Sequence, residues 1–181
     1  MIDTTPAEIV SFWREAGPDK WWDKDDVFDR TIRTKFLAVH ETAVRGELAA
    51  WEDSAEGSLA LVILLDQFPR NMFRDSARAF ATDPQACALA RRAIARGFDQ
   101  AIDETLRLFF YLPFMHSEAL ADQDRCIALF TALGDAEQSN YAVIHRDVIA
   151  KFGRFPHRNR VLGRDTTSAE RDFLDGGGFA G

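Results

Sequence analysis

The chain has 181 residues, a formal net charge of -7 and a pI near 5.1, and 46% of its residues are hydrophobic. The hydrophobic fraction excludes intrinsic disorder and allows a sizeable core, while the acidic balance argues against a nucleic acid or an anionic membrane as partner. Cys87 and Cys126 lie far apart without metal-ligand spacing, and the N-terminal stretch has no signal-like apolar segment, so we expect a soluble cytoplasmic protein with reduced thiols.

Two amphipathic helices are predicted at the N-terminal end. In "TPAEIVSFWREAG", Thr5 is a good N-cap, Pro6 suits the first helical position, and Glu8 completes a capping box. A longer helix is predicted from Asp25 to Gly46, because apolar residues recur there at spacings of three and four. Those residues are Phe28, Ile32, Phe36, Val39 and Ala43.

The stretch "SLALVILLDQF" predicts a third helix, which lacks a polar face from Leu61 to Leu65 and is therefore central. We expect it to end or kink before Pro69, because a proline ring clashes with the preceding turn. A buried carboxylate such as Asp66 needs a partner, and an arginine is the best one. Either Asp66 forms a structural pair with Arg70 or Arg74, or Asp66 or Arg70 faces a cleft.

Helical patterns continue to the C-terminus, starting with "DPQACALARRAIARG" and ending with a short helix after Thr167 that Glu170 would cap. Helices of this length joined by short breaks predict an all-α fold of antiparallel helix hairpins. We expect a single all-helical domain over residues 1–175 and a flexible, glycine-rich tail over residues 176–181.

A second polar cluster lies in "FFYLPFMHSE", whose three leading aromatic residues are expected in the core. Pro113 is expected to force Leu112 out of the helical conformation and to bend the chain between two helices. Ser117 would then cap the next helix, with support from Glu118 at its start. His116 is either a core histidine with satisfied ring nitrogens or a site residue.

The third cluster, residues 145–164, concentrates basic residues in an acidic protein. Gly153 permits a left-handed turn and Pro156 fixes an extended one, which together shape a loop. A carboxylate or phosphate would suit the side chains on this loop, which are Arg154, His157, Arg158 and Asn159. The alternative is that these arginines cap helices and pair with acidic residues elsewhere.

Three enzyme templates are missing from the sequence: the glycine-rich phosphate loop, the HExxH metal motif and the GxSxG nucleophile elbow. We therefore expect neither a metal nor a cofactor. A metal site assembled across helices is the open alternative, and its residues would be His116, His145, His157, Asp66 and Glu118.

The segments "LALVILLDQFPRNMFR", "FFYLPFMHSE" and "FGRFPHRN", the last followed by "LGR" and a Thr/Ser-Glu helix cap, resemble the bacterial family labelled domain of unknown function 924. The likeness covers nearly the whole chain. It implies a tetratricopeptide-like, superhelical all-α fold, and it brings no established activity and no catalytic residue.

Three functions compete. In the first, the protein binds a small anionic ligand or a peptide carboxylate in a polar pocket, lined by Arg70, Arg74, Arg154, Arg158 and Asn159. In the second, it is a hydrolase or transferase acting on an anionic metabolite, with acid–base chemistry by His116, His157, Asp66 and Glu118. In the third, it is a protein–protein adaptor without an internal site. The first two require distant segments to meet at one hollow.

Overall fold

The computed structural model describes residues 3–180, so Met1, Ile2 and the last residue of the predicted tail, Gly181, lie outside the described residues. The described residues form helices and turns and contain no β-strand, which confirms the predicted all-α class. They fall into two compact units. Unit 1 comprises residues 3–74 and 78–113, and unit 2 comprises residues 75–77 and 114–180.

The α-helices of unit 1 are α1 (Pro6–Ala16), α2 (Pro18–Trp21), α3 (Asp26–Val44), α4 (Ala55–Val62), α5 (Phe68–Met72), α6 (Asp83–Ala95) and α7 (Glu104–Arg107). Helix α8 (Leu112–Met115) lies where the chain passes from unit 1 to unit 2. The helices of unit 2 are α9 (Leu120–Leu133), α10 (Ala136–Phe152) and α11 (Ser168–Asp175). Short 3-10 turns cover Ala49–Asp53, Ala77–Ala79, Asp99–Ala101, Leu108–Phe110 and Pro156–Arg158.

Three predicted helix starts are confirmed, at Thr5, Asp25 and Thr167. Thr5 and Glu8 form the reciprocal capping box at the start of α1, and Thr167 and Glu170 form another at the start of α11. The side chain of Asp25 accepts hydrogen bonds from the first backbone N–H groups of α3. Each cap satisfies donors that a helix leaves free, and is worth about 1 kcal/mol.

Of the predicted end or kink before Pro69, the end is wrong, because the chain stays helical through the proline. A π-helical turn, Ile63–Gln67, joins α4 directly to α5. This wider turn places Pro69 in the first turn of α5, where a helix needs no N–H from that residue. The proline therefore widens the helix locally instead of ending it.

Two side chains bind the carbonyl groups that the π turn frees. The Phe68 N–H donates to Ile63, so the Leu64 carbonyl receives no hydrogen bond from it, and Pro69 has no N–H to offer. The Leu64 oxygen accepts from His40 Nδ1 at 2.8 Å. The Leu65 oxygen, whose α-helical donor would be Pro69, accepts from the Thr82 hydroxyl at 2.5 Å.

The core of unit 1 is aromatic. Trp13 on α1 is fully buried and packs edge-on against Phe68 and Phe109, at centroid distances of 5.6 Å for both rings. The indole N–H of Trp21 donates to the Trp13 carbonyl at 2.7 Å, while the neighbouring Trp22 is 49% exposed. Helix α1 packs on α4, α3 on α5, and α4 on α6, which places α4 centrally as predicted.

The bend predicted at Pro113 is also wrong in detail, since Leu112 is the first residue of helix α8. Pro113 fits there because the first turn of a helix leaves its N–H groups free. Ser117 is not the N-cap of α9, because that position is Ala119 and carries no side-chain cap. The Ser117 hydroxyl instead donates to Asp122 at 2.9 Å.

Unit 2 is built on the antiparallel pair α9 and α10, joined at Gly134, which adopts a left-handed conformation with φ of 79°. Gly153 ends α10 in the same way, with φ of 69°, as predicted. The core of this unit includes Phe155 on the following loop. Within the predicted tail, Phe179 packs against that core.

No helix within residues 3–180 combines the length and the apolar character needed to cross a membrane.

Candidate functional site

In unit 1, Arg70 is held by two carboxylates. Its guanidinium forms a two-pronged pair with Asp83, at 3.0 and 3.1 Å, and lies 3.5 Å from the buried Asp66 carboxylate. Burial would lower the pKa of Arg70, but Asp66 and Asp83 outweigh it and hold the pKa above its usual value. These contacts agree with the first of the two hypotheses for Asp66, a structural ion pair with an arginine.

Asp66 has a second neighbour in Gln67, whose side-chain amide donates to it at 2.5 Å. Asp83 was missed as a partner because the sequence presents it as the start of a helix, where an acidic residue is expected anyway. Asp66 and Gln67, the polar residues at the end of the apolar run, are thus buried and hydrogen-bonded, as buried charges require.

Arg74 is also paired within unit 1. It forms an ion pair with Asp29 on α3, with Nη2 at 3.1 Å from the carboxylate. The buried Asn71 donates to the same carboxylate at 2.8 Å. Both predicted arginines of this unit are therefore bound to carboxylates on other helices.

In unit 2, Arg154 binds Glu170 on α11 through two hydrogen bonds, at 2.6 and 2.9 Å. Glu170 is buried, and the Arg154 guanidinium is the main cause that lowers its pKa to about 2. The amide of the fully buried Asn159 donates to the same carboxylate at 3.3 Å. The sequence identifies Glu170 as a helix-capping residue but not as the partner of Arg154.

Glu118 is the second carboxylate of unit 2. Arg164 binds it in a fork, at 2.8 and 3.0 Å, and the Phe155 N–H donates to it at 2.8 Å. Burial acts to raise the pKa of Glu118, but Arg164 and the Phe155 N–H hold it below its usual value. No local pattern identifies Arg164 as the partner, because the two residues are 46 positions apart.

His157 lies between aromatic rings, with Phe155 at 5.5 Å and Phe179 at 5.4 Å. Burial, followed by the nearby positive charge of Arg158, lowers its pKa to about 4. The ring is therefore neutral at pH 7. The Arg158 guanidinium lies over the Phe155 ring at 4.4 Å and is itself buried.

The buried polar atoms of residues 157–164 that have no hydrogen-bond partner within the described part of the chain include His157 Nδ1, Asn159 Oδ1 and Arg164 Nε. We call these three the unmatched atoms. The amide oxygen is an acceptor and the guanidinium N–H is a donor, so the set has both kinds. Elsewhere in residues 3–180, atoms of this kind are more scattered, on Trp13, Gln123 and Arg125.

The other two histidines of unit 2 were also candidates. His145 Nδ1 donates to the Tyr141 carbonyl at 2.7 Å, and its ring lies 4.2 Å from Phe179. His116 is half-buried between α8 and α9. Over residues 3–180, no group of three or more His, Cys, Asp or Glu side chains is placed to hold a metal ion.

The structure thus brings Arg154 and Asn159 together at Glu170 in unit 2, and Asp66 and Arg70 together in unit 1. In both groups buried carboxylates are bound by arginines: Glu170 by Arg154, and Asp66 and Asp83 by Arg70. Fold and site together define an all-helical protein whose apolar core encloses buried ion pairs.

The chain belongs to the family of bacterial proteins of unknown function DUF924, whose model matches residues 9–178. It is similar to the solved structure of a protein of unknown function, ATU0120, from Agrobacterium tumefaciens. The two sequences are 51% identical, with a TM-score of 0.91 over 94% of this chain and 97% of the other. A comparison with curated proteins finds no match.

Proposed function

We propose that this protein binds a small ligand through a carboxylate, and that residues 157–164 of unit 2 form the binding site. The observation that carries the proposal is Asn159, which is completely buried while its Oδ1 lacks a donor among residues 3–180. A buried polar atom without a partner costs about 1–3 kcal/mol, and native proteins contain few of them. A ligand would satisfy it.

The charge around this segment favours an anion. Burial is the main cause that lowers the pKa of His157, and the charges of Arg158, His145 and Arg164 lower it further against the opposing carboxylate of Glu118, which supports a positive potential at the ring. A ligand carboxylate would gain charge-assisted hydrogen bonds in these half-buried or buried surroundings. The basic segment is thus an attractive region in a chain that is acidic overall.

The unmatched atoms also indicate the chemistry of the ligand. The Arg164 Nε–H needs an acceptor, which a carboxylate provides, whereas Asn159 Oδ1 needs a donor. A carboxylate with a neighbouring N–H or O–H offers both, as at the C-terminus of a peptide or in a hydroxy acid. The neutral His157 ring can either donate or accept.

The remaining predicted residues have supporting roles in this proposal. Arg70, Arg74 and Arg154 are bound to protein carboxylates, and we assign them to the framework. The contacts of Glu118 with Arg164 and Phe155 favour binding over acid–base catalysis by that carboxylate. The meeting of all three sequence clusters at one hollow remains a prediction.

The test is a thermal-shift titration with N-acetylglycine and with its amide, which differ only in the carboxylate. At a ligand concentration 100 times Kd, binding to the folded state adds about 2.7 kcal/mol. For a chain of this size that corresponds to a rise in Tm of roughly 5–10 °C. We expect this rise with the acid and not with the amide.

Two variants locate the site, each compared with its own ligand-free Tm. His157→Phe keeps the ring packing and removes the ring nitrogens, and Asn159→Ala removes the unmatched oxygen; both should reduce the shift. Arg160→Ala is the matched control. The Arg160 side chain is 75% exposed, and among the contacts described for residues 3–180 it pairs only with Asp75, which is 74% exposed. Equal shifts in all variants, or no shift with carboxylates, would contradict the proposal.

A further inference from the structure

The unmatched atoms are shut off from solvent. His157 Nδ1, Asn159 Oδ1 and Arg164 Nε are each buried, and each lacks a hydrogen-bond partner within residues 3–180. A ligand cannot reach buried atoms unless a group that covers them moves. A binding site built on these atoms must therefore open before the ligand enters.

The segment that lies against His157 and is free enough to move is residues 176–180, which we call the lid. Its Phe179 ring stands edge-on to the His157 ring, with the centroids 5.4 Å apart and the planes at 82°. The same ring lies 4.2 Å from the His145 ring. Phe155 also contacts His157 but is completely buried in the core, whereas Phe179 is only half-buried.

The lid leaves helix α11 through a glycine turn. Gly177 is left-handed, with φ of 78°, and its N–H donates to the Leu174 carbonyl at 3.2 Å. The Gly178 N–H donates to the Phe173 carbonyl at 2.9 Å, and a Cβ on Gly178 would lie only 2.6 Å from that oxygen. The closed path thus requires glycine at position 178. Because consecutive glycines also allow many other conformations, this turn can act as a hinge.

We propose that residues 176–180 close the site of residues 157–164, and that Phe179 is displaced when the ligand enters. This inference rests on the proposed function. In the closed form the Phe179 ring lies where a ligand would approach His157, so lid and ligand compete. A ligand that binds only the open form has its apparent affinity reduced by the fraction of molecules that are open.

Two substitutions open the lid in different ways. Phe179→Ala removes the covering ring, whereas Gly178→Ala keeps the ring and forces the backbone away from the Phe173 carbonyl. Ala180→Ser is the matched control, because it changes an exposed residue of the lid and leaves both features in place. Minor conformations are populated at roughly 0.1–10%, so both opening variants should bind N-acetylglycine about tenfold more tightly or better. Isothermal titration calorimetry measures this gain, and the control should bind like the wild type.

A second measurement needs no ligand. Diethyl pyrocarbonate modifies neutral imidazole rings, and peptide mass spectrometry gives the rate at each histidine. His157 should react several times faster in Phe179→Ala and Gly178→Ala than in the wild type and Ala180→Ser. His40, which is buried in unit 1, is the internal reference and should react at the same rate in all four proteins.

The two measurements separate the lid from the ligand. Faster modification of His157 in both opening variants, without binding of the acid to any protein, would support the lid and contradict the carboxylate ligand. Unchanged modification rates would overturn the lid. Binding of the acid that is equal or weaker in both opening variants would overturn it as well.

Discussion

Asp66 is completely buried, a position where an isolated carboxylate is strongly unfavourable. Arg70 makes it tolerable by sharing its guanidinium between Asp66 and Asp83. In unit 2, Arg154 likewise stabilises a buried carboxylate, that of Glu170, through an ion pair. At the scale of single residues, each of these carboxylates is matched by a particular arginine.

Removing one such arginine should therefore be costly. Arg70→Met keeps much of the side-chain volume but leaves Asp66 and Asp83 without the guanidinium. We expect the free energy of unfolding to fall by about 3–5 kcal/mol, as for other broken buried pairs. Urea denaturation measures this loss.

Arg160→Met is the control for that experiment, because Arg160 and Asp75 form an ion pair that is about three-quarters exposed on both sides. Its loss should cost less than about 1 kcal/mol. Similar losses for the two variants would show that the Arg70 group is not a buried ion pair in solution.

His157 should make stability depend on pH. Its pKa is about 4 in the folded protein, compared with roughly 6.5 in an unfolded chain. Above pH 6.5 neither state binds a proton at this ring, so stability is complete there. As the pH falls from 6.5 to 4, the unfolded state binds a proton that the folded state does not, and up to about 3 kcal/mol is lost.

The variant His157→Phe keeps the packing against Phe155 and Phe179 and cannot be protonated. Its free energy of unfolding should fall less than that of the wild type between pH 6.5 and 4. Some loss should remain, because burial also lowers the pKa of His40. Parallel curves for variant and wild type, measured by urea denaturation at each pH, would be the contrary result.

Among the helices, the starts at Thr5, Asp25 and Thr167 were predictable, whereas the start of α9 and the π turn were not. Thr5 and Glu8 lie three residues apart, so the capping box that they form is visible in the local sequence. The π turn instead depends on His40 and Thr82, which bind its carbonyls from 24 and 17 residues away. A local rule about proline therefore could not predict that the helix continues through Pro69.

The dependence of the π turn on Thr82 can be measured in a double-mutant cycle. Thr82→Val removes the hydroxyl from the Leu65 carbonyl, and an unpaired buried acceptor costs about 1–3 kcal/mol. In the Pro69→Ala background, residue 69 regains an N–H that can donate to that carbonyl. Thr82→Val should then cost clearly less than in the wild type.

The single substitution Pro69→Ala supplies the reference for the cycle, and all four proteins are compared by urea denaturation. If Thr82→Val is equally costly in both backgrounds, Pro69 is not the reason that Leu65 needs the Thr82 hydroxyl.

For the molecule as a whole, hydrophobic periodicity predicted the all-α class, and the motifs around Asp66, His116 and Arg154 predicted the family. The ionic partners were not predictable, because they depend on which helices meet. Glu118 and Arg164 are 46 positions apart, and Arg74 and Asp29 are 45 apart. Sequence identified the polar segments, and only the packed helices reveal what each charge contacts.

The central claim is that residues 157–164 bind a ligand carboxylate, and NMR of the side-chain nitrogens tests it most directly. A titration with N-acetylglycine should shift the ¹⁵N signals of the His157 ring and the Asn159 amide in a saturable way. The His40 ring, whose Nδ1 already donates to the Leu64 carbonyl, should stay unchanged. Unchanged signals of His157 and Asn159 at every ligand concentration would contradict the account.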